Sequence, residues 1–273
     1  MAAQLPFVGG RMTRSVSFHE LRPEQIADRK RRLPVAYLAF GILEWHGLHN
    51  PYGLDGLKAH GIAQRLAEEL GGLVMPPMYW GDHRGEICER HLDRELPLAD
   101  SAGLVWNAAD TMCGTLEVPR DAYKRNAERS VRNGGWRLFK ELAVHAFFQI
   151  ESYGFTTIVA IPGHYPLLNP MTEAIEQYKQ DGGVCSILII NDAKYSYSGK
   201  GDHAAAYETS LLMALQPDTV DIGRLDPDLA TPLAGVALGP DPRTHAFREY
   251  GEEALGKLIE DMKLRLSVEA GKL

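Results

Sequence analysis

Apolar residues along this chain fall into short continuous runs and into three-to-four-residue periods, and the two patterns alternate. Val35–Phe40 is an unbroken apolar run of strand length, as expected for a strand buried on both faces. From about 56 to 70 the positions Leu57, Ile62, Leu66 and Leu70 recur at helical spacing, and Gly71-Gly72 ends the pattern. Leu73-Val74-Met75 reads as a second strand before Pro76-Pro77. A long helical pattern runs from about 125 to 153. It sets Leu138, Leu142, His145, Ala146 and Ile150 near one face, with Gly134-Gly135 as an interruption and Gly154 as its cap. Residues 155–161 are the clearest strand, and 184–190 are another, following a helix over about 170–179. Pro23 opens a short helix to about Arg31, 204–215 is predicted helical, and 244 to about 268 forms a terminal amphipathic helix.

Strands alternating with helices predict an α/β fold, a mainly parallel sheet with helices on both faces. Functional groups in such sheets lie in the loops beyond the carboxyl ends of the strands. The loops to inspect are those after Phe40, Met75, Ile161 and Ile190. The whole chain, 1–273, reads as a single domain, with 1–16 as an N-terminal arm. Residues 84–125 carry no clear period and read as a variable insertion, a lid or an oligomer contact.

Composition narrows the class without changing the fold. The 273 residues are 45% hydrophobic and 24% charged, the usual mix of a soluble globular protein, which argues against disordered, collagen-like and coiled-coil classes. No apolar run approaches the roughly 18 residues a membrane span needs, and the N-terminus lacks the apolar core of a secretion signal. With 29 Lys+Arg against 36 Asp+Glu the net charge is −7, and without a basic block no nucleic-acid partner is expected. Cys88, Cys113 and Cys185 are widely spaced and form no Cys-x-x-Cys pair, so they read as reduced thiols of a cytoplasmic protein.

Candidate chemistry concentrates in three segments. The first runs Glu44-Trp45-His46-Gly47-Leu48-His49-Asn50-Pro51-Tyr52-Gly53-Leu54-Asp55, directly after the buried strand. Glu44 and His46 are two apart and project to the same side of extended backbone. Imidazole nitrogen with carboxylate oxygen is a ligand set for zinc, manganese or iron(II), and Asp55 can bridge two ions. Read alone, Glu44 and Asp55 serve equally as solvent carboxylates or helix caps. The second segment, Ile161-Pro162-Gly163-His164-Tyr165-Pro166, puts His164 at the end of the clearest strand, where Gly163 permits a close approach or an unusual backbone angle. The third, Gly201-Asp202-His203-Ala204-Ala205-Ala206-Tyr207-Glu208-Thr209-Ser210, reads on its own as an Asp202 N-cap with a first-turn Glu208. Taken together they offer Glu44, His46, Asp55, His164 and Glu208 as ligands for two divalent ions, with His203 carrying a proton. The chain contains no Gly-x-Ser-x-Gly elbow, no P-loop and no Gly-x-Gly-x-x-Gly fingerprint, so serine-hydrolase and nucleotide-binding readings lack support.

These motifs resemble the creatininase (creatinine amidohydrolase-like) family. The family's Glu-x-His-Gly-x-His stretch, followed six residues later by Asp, is matched by Glu44, His46, Gly47, His49 and Asp55. Its Pro-Pro then Tyr-x-Gly segment is similar to Pro76-Pro77-Met78-Tyr79-Trp80-Gly81, and its Asn-Gly-His loop to Pro162-Gly163-His164. Its His-Ala-Gly-x-x-Glu-Thr-Ser segment resembles His203 to Ser210. The resemblance covers about 33–220 and implies a three-layer α/β/α fold, two divalent ions (Zn2+ and/or Mn2+, Fe2+ also acceptable) and a homohexamer. It implies metal ligation by Glu44, His46, Asp55 and His164, with Glu208 replacing a family ligand whose position here is Pro166. It also implies proton transfer at His203 with Asp202 beside it. His49, Trp80, His83 and Tyr165 are expected to face substrate.

The resulting expectation is a hydrolase of a small cyclic amide or formamide, in which metal-bound hydroxide attacks the carbonyl. Pro162 and Pro166 depart from the family loop, and they raise an alternative in which the same centre opens a cyclic diketone by C–C cleavage in sugar or inositol breakdown. A non-catalytic metal-binding protein is the reading from a different class.

Overall fold

The six residues Val35–Phe40 form β1, and all are buried because both faces of the strand are covered. The structure is a computed structural model that describes residues 15–81, 104–105, 108–132 and 134–270. Among these, helix α1 is Pro23–Arg32, followed by β1, α2 (Leu54–Leu70), β2 (Leu73–Val74), β3 (Leu104–Val105), α3 (Ala109–Thr115) and α4 (Arg120–Arg132). Then come α5 (Trp136–Ser152), β4 (Thr157–Pro162), α6 (Leu168–Gln180), β5 (Ser186–Ile189), α7 (Ala206–Leu215), β6 (Leu233–Ala234), α8 (Pro242–His245) and α9 (Arg248–Ala270). No described helix is long and apolar enough to cross a membrane.

The main sheet is parallel throughout, in the order β2-β1-β4-β5. β1 and β4 run side by side, Val35 opposite Thr157 through Phe40 opposite Pro162. Because successive side chains alternate across a strand, β1 feeds two separate cores. Val35, Tyr37 and Ala39 pack with Ile62 and Leu66 of α2, Leu211 of α7 and Leu255, Leu258 and Met262 of α9. Ala36, Leu38 and Phe40 pack on the other side with Phe139 and Phe147 of α5 and Met171 and Tyr178 of α6. The result is the three-layer α/β/α arrangement expected. From β1 the chain crosses through α2 to β2 on one flank, whereas β4, on the other flank of β1, crosses through α6 to β5. The winding therefore changes direction between β1 and β4, and their loops diverge there, leaving a crevice at the carboxyl end of the sheet.

Several predicted details shift. The long helical pattern is two helices, divided where Gly135 takes φ +51°. The buried face of α5 is Phe139, Ala143, Phe147 and Ile150, while Leu138 and Leu142 are exposed at 43% and 36% and His145 faces outward. Aromatic packing decides the rotation: the rings of Phe139 and Phe147 meet Phe40 edge-on at 5.6 and 6.4 Å. Ile150 alone of the apolar positions marked from the sequence lies fully in the core. β5 is shorter than its apolar run, and Val184 before it is 78% exposed. The terminal helix is preceded by the separate short α8, which Asp241 caps by accepting the Arg243 N–H at 2.8 Å. Most of the arm, much of the 84–125 insertion, Cys88 and His83 lie outside the described residues.

Candidate metal centre

The loop after β1 and the loop after β4 are held against the start of α2 by missing side chains. A Cβ on Gly41 would stand 2.3 Å from the Gly56 Cα, and a Cβ on Gly163 would stand 2.0 Å from the Asp55 carbonyl oxygen. Gly163 is therefore required for close approach, not for a left-handed backbone. That approach brings Asp55, in the first turn of α2, against His164 at the end of β4. Glu44 and His46, beyond β1, complete the group.

The four side chains are buried, from 1% exposed at Glu44, His46 and Asp55 to 6% at His164. His164 Nδ1 lies 2.9 Å from Glu44 Oε1 and 3.5 Å from Asp55 Oδ2. His46 Nε2 lies 3.4 Å from Asp55 Oδ1 and 3.6 Å from Glu44 Oε1. His46 Nδ1 donates to its neighbour Glu44's carbonyl oxygen at 3.1 Å, which leaves Nε2 aimed at the carboxylates. His203 joins from the third segment: its Nε2 donates to the Trp45 carbonyl at 3.0 Å, and Nδ1 faces Glu44 Oε1 at 3.8 Å. Its ring lies 4.6 Å from that of His46. The backbone of His203 is itself clamped, exchanging hydrogen bonds of 2.8 and 2.9 Å with Ala237.

Two overlapping trios have ligand atoms close enough to share an ion: Glu44, Asp55 and His164, and Glu44, His46 and His203. The donor set, imidazole nitrogen plus carboxylate oxygen, suits a first-row divalent metal. His46 Nε2 and Asp55 Oδ2 are buried and make no hydrogen bond, an arrangement that costs stability unless something fills the gap between them. The residues thus fit a divalent ion.

Electrostatics point the same way. Burial alone would lower the His46 pKa, but Asp55, Glu44 and Glu208 outweigh it and hold it up at about 9. For His164, burial is likewise overcome, chiefly by Glu44 and also by Asp55, and the pKa stands well above the ordinary histidine value. Burial would raise both carboxyls, yet His164 and His203 hold Glu44 below its usual range, and His46 and His164 hold Asp55 well below. His203 differs, since burial keeps its pKa below the usual value and its Nδ1 lone pair free of a proton at neutral pH.

Glu208 Oε2 lies 3.9 Å from His46 Nε2 but accepts the Ala204 N–H at 2.9 Å, and Oε1 accepts from Lys58 Nζ at 2.6 Å. Asp202 caps α7, accepting the N–H groups of Tyr207 at 2.6 Å and Glu208 at 3.1 Å, with its pKa raised to about 7 by burial and Glu208. His49 is buried and ties its loop to α7 through Nε2, 3.0 Å from the Ala204 carbonyl oxygen and 3.2 Å from Thr209 Oγ1. Trp80 stands out into solvent, 73% exposed. The Tyr165 hydroxyl turns toward Asp192 Oδ2 at 3.5 Å.

Two residues at the site were not anticipated. Lys58 is fully buried and its ammonium lies 3.3 Å from Asp192 Oδ2 as well as against Glu208. A signal for it existed, because Lys58 stands in the 54-58-62-66 stripe of α2 with Leu54, Ile62 and Leu66. Asp192 sits two residues beyond Ile190, in the loop that follows β5.

The chain is similar to known proteins in sequence and in fold. A family model described as Creatininase, creatinine amidohydrolase, matches residues 19–96 and 136–257. The chain is 25% identical over 198 residues to the creatinine amidohydrolase of Pseudomonas putida, covering 70% of this chain and 68% of that one. A solved mutant creatininase of the Zn-Zn type is similar with a TM-score of 0.61 at 20% identity, over 93% of this chain and 98% of that one. A creatininase structure titled for Mn gives a TM-score of 0.60 at 20% identity over the same shares.

Proposed function

The chain belongs to the creatininase family of metal-dependent hydrolases, and from that premise we propose that it cleaves a C–N bond in a small cyclic amide or formamide at a centre of two divalent ions. The observation that carries the reading is the buried pair of atoms, His46 Nε2 and Asp55 Oδ2, that have no hydrogen bond and converge with Glu44 and His164. The Zn-Zn and Mn forms of similar creatininases support zinc or manganese as the ions.

Glu44, His46, Asp55, His164 and Glu208 would hold the ions in this reading, with Glu208 Oε2 3.9 Å from His46 Nε2. Bound there, such ions supply a water of lowered pKa and a Lewis acid for the carbonyl oxygen. The chain itself supplies orientation and proton handling. The hydrogen bond to the Glu44 carbonyl fixes the His46 tautomer, and the Trp45 carbonyl fixes that of His203. His203 Nδ1, neutral at pH 7 and less deeply buried than Glu44, His46 and Asp55, accepts a proton and returns it to the leaving nitrogen. Asp202 and His49 act behind it, fixing the turn into α7. Assembly as a homo-oligomer, hexameric by the family likeness, and a cytoplasmic location belong to the same reading.

Pro162 and Pro166 favour one competing substrate class. They replace residues of the family's histidine loop beside His164, so the wall next to the centre differs, and a cyclic diketone opened by C–C hydrolysis is the second candidate. The test is metal analysis of dialysed protein beside Glu44→Ala and Asp55→Ala, followed by assay of lactams, formamides and cyclic polyol diketones. Two ions per chain, lost in both variants, with turnover of an amide is the expected result. Turnover of the diketone alone selects the second class, and no retained or restorable metal overturns both. His203→Gln is expected to keep its metal while kcat falls by about a hundredfold or more. Loss of an ion from that variant moves His203 into the ligand set.

A further inference from the structure

Lys58 is 0% exposed and stands one turn into α2, three residues after Asp55, so one face of the helix carries a proposed ligand and a buried cation together. An ammonium this deeply buried needs carboxylates around it, and Lys58 has two from distant parts of the chain. Its Nζ donates to Glu208 Oε1 at 2.6 Å and lies 3.3 Å from Asp192 Oδ2, with the centre of the Tyr165 ring 4.6 Å away. Asp192 is itself enclosed, 1% exposed, in the loop after β5.

The ammonium takes only one oxygen of Glu208. The other, Oε2, accepts the Ala204 N–H at 2.9 Å and lies 3.9 Å from His46 Nε2. A carboxylate oxygen has two lone pairs, so that hydrogen bond leaves Oε2 able to accept a second partner from the side of His46. His46 Nε2 is buried there with no hydrogen bond, as is Asp55 Oδ2. The terminal torsion of a glutamate is broad and roughly two-fold, and a single anchor leaves it free to swing. Two anchors on different oxygens fix the plane of the carboxylate. Helix α2 thus contributes Asp55 directly and, through Lys58, aims Glu208 from α7.

Resting on the metal-centre reading above, we propose that Lys58 is a positioning residue of that centre: its ammonium, pinned by Asp192, holds Glu208 Oε1 so that Oε2 is presented beside His46 as a ligand. Lys58 and Asp192 then supply the outer contact that a ligating carboxylate needs to keep its orientation.

The experiment is zinc titration of the full-length, metal-stripped protein against a chromogenic chelator, with circular dichroism to check folding. Four variants are compared with the parent: Asp55→Asn, Glu208→Gln, Lys58→Met with Asp192→Asn, and that pair combined with Glu208→Gln. The pair removes one positive and one negative charge, so the net charge around Glu208 is kept and the titration reads orientation. It is expected to weaken the more loosely held ion about ten- to a hundredfold. Adding Glu208→Gln to the pair should cost less than about threefold beyond Glu208→Gln alone, because both changes act on one carboxylate. A merely structural role for Lys58 would instead make the two losses multiply. Parental or tighter binding by the pair overturns the proposal, as do multiplying losses or a Glu208→Gln protein that binds as the parent does. Should the pair not fold, Lys58→Gln with Asp192→Asn is read by the same criteria. That version keeps a hydrogen bond between the two positions, but its side chain is one atom too short to hold Oε1. Asp55→Asn separates the two levels. If it keeps every ion, the metal-centre reading itself fails; if it loses metal while the pair binds as the parent does, only the role given to Lys58 fails.

Discussion

At the scale of single residues, His46 and His164 carry protons in the metal-free protein because two buried carboxylates pay part of their desolvation. A metal ion must displace those protons. Zinc binding at pH 7.5 is therefore expected to release protons, and affinity should climb with pH until His46 titrates near 9. Calorimetry in buffers of different ionisation enthalpy reads this directly, and pH-independent binding would contradict it. The same shift has a signed effect on the metal-free fold. The folded pKa of His46 is raised, so its contribution is fully present below the unfolded value of about 6.5 and is lost as pH rises through 9. His49 has the opposite sign: burial lowers its pKa to about 4, so its neutral form supports the fold above about 6.5 and that support is lost as pH falls toward 4. The shift corresponds to about 3 kcal/mol at full protonation. Urea unfolding at pH 7 and pH 5 should show the loss in the parent and a smaller one in His49→Gln. The motif residues were legible because their chemistry is unusual in an apolar neighbourhood. Lys58 was equally unusual but not legible, since a lysine is almost never fully buried unless paired and its partners lie 134 and 150 residues away.

At the scale of elements, the glycines divide by what surrounds them. Gly163 admits no side chain because the Asp55 carbonyl lies 2.0 Å from where a Cβ would be, so Gly163→Ala must push β4 away from α2. A loss of about 1–3 kcal/mol is expected, together with weaker metal binding, since Asp55 and His164 separate. Gly256 is the control. It sits inside α9, exposed, with nothing within 4 Å of a built Cβ, and Gly256→Ala should stabilise the protein by about 1 kcal/mol while leaving metal binding unchanged. Thermal melts with zinc titration distinguish the two. The strands were legible nearly to the residue where apolar runs were continuous, as in β1. The rotation of α5 was not, because α5 has apolar residues on more than one face and Leu138 competes with Phe139. Only contact with Phe40 and Tyr178 chooses between them.

At the scale of the whole molecule, the centre joins three parts of the chain: the loop after β1 with the start of α2, the loop after β4, and the segment before α7. An ion that binds all of them only in the folded state stabilises the fold by mass action. Stripping the metal should lower Tm by on the order of 5 °C, and adding zinc at about a hundred times its Kd should restore it. A Tm indifferent to metal would mean that the segments are already fixed without it. The two cores on either side of the sheet supply that independent rigidity. Phe147, fully buried between Phe40 and Tyr178, is expected to cost about 3–5 kcal/mol when truncated to alanine.

The sequence by itself determined the layer order, the parallel sheet, and four of the residues that converge on the centre, Glu44, His46, Asp55 and His164. Apolar period and ligand chemistry are both local, and local patterns survive being written as a string. Tertiary structure alone decided which partners each buried carboxylate meets. Glu208 and Asp55 are both buried acidic residues in the first turn of a helix, and nothing in their neighbours separates them. One meets an ammonium from a helix far away in the chain, while the other meets two imidazoles across a gap that two glycines allow. Desolvation makes that difference large, because a buried carboxylate must take whichever partner the fold brings to it.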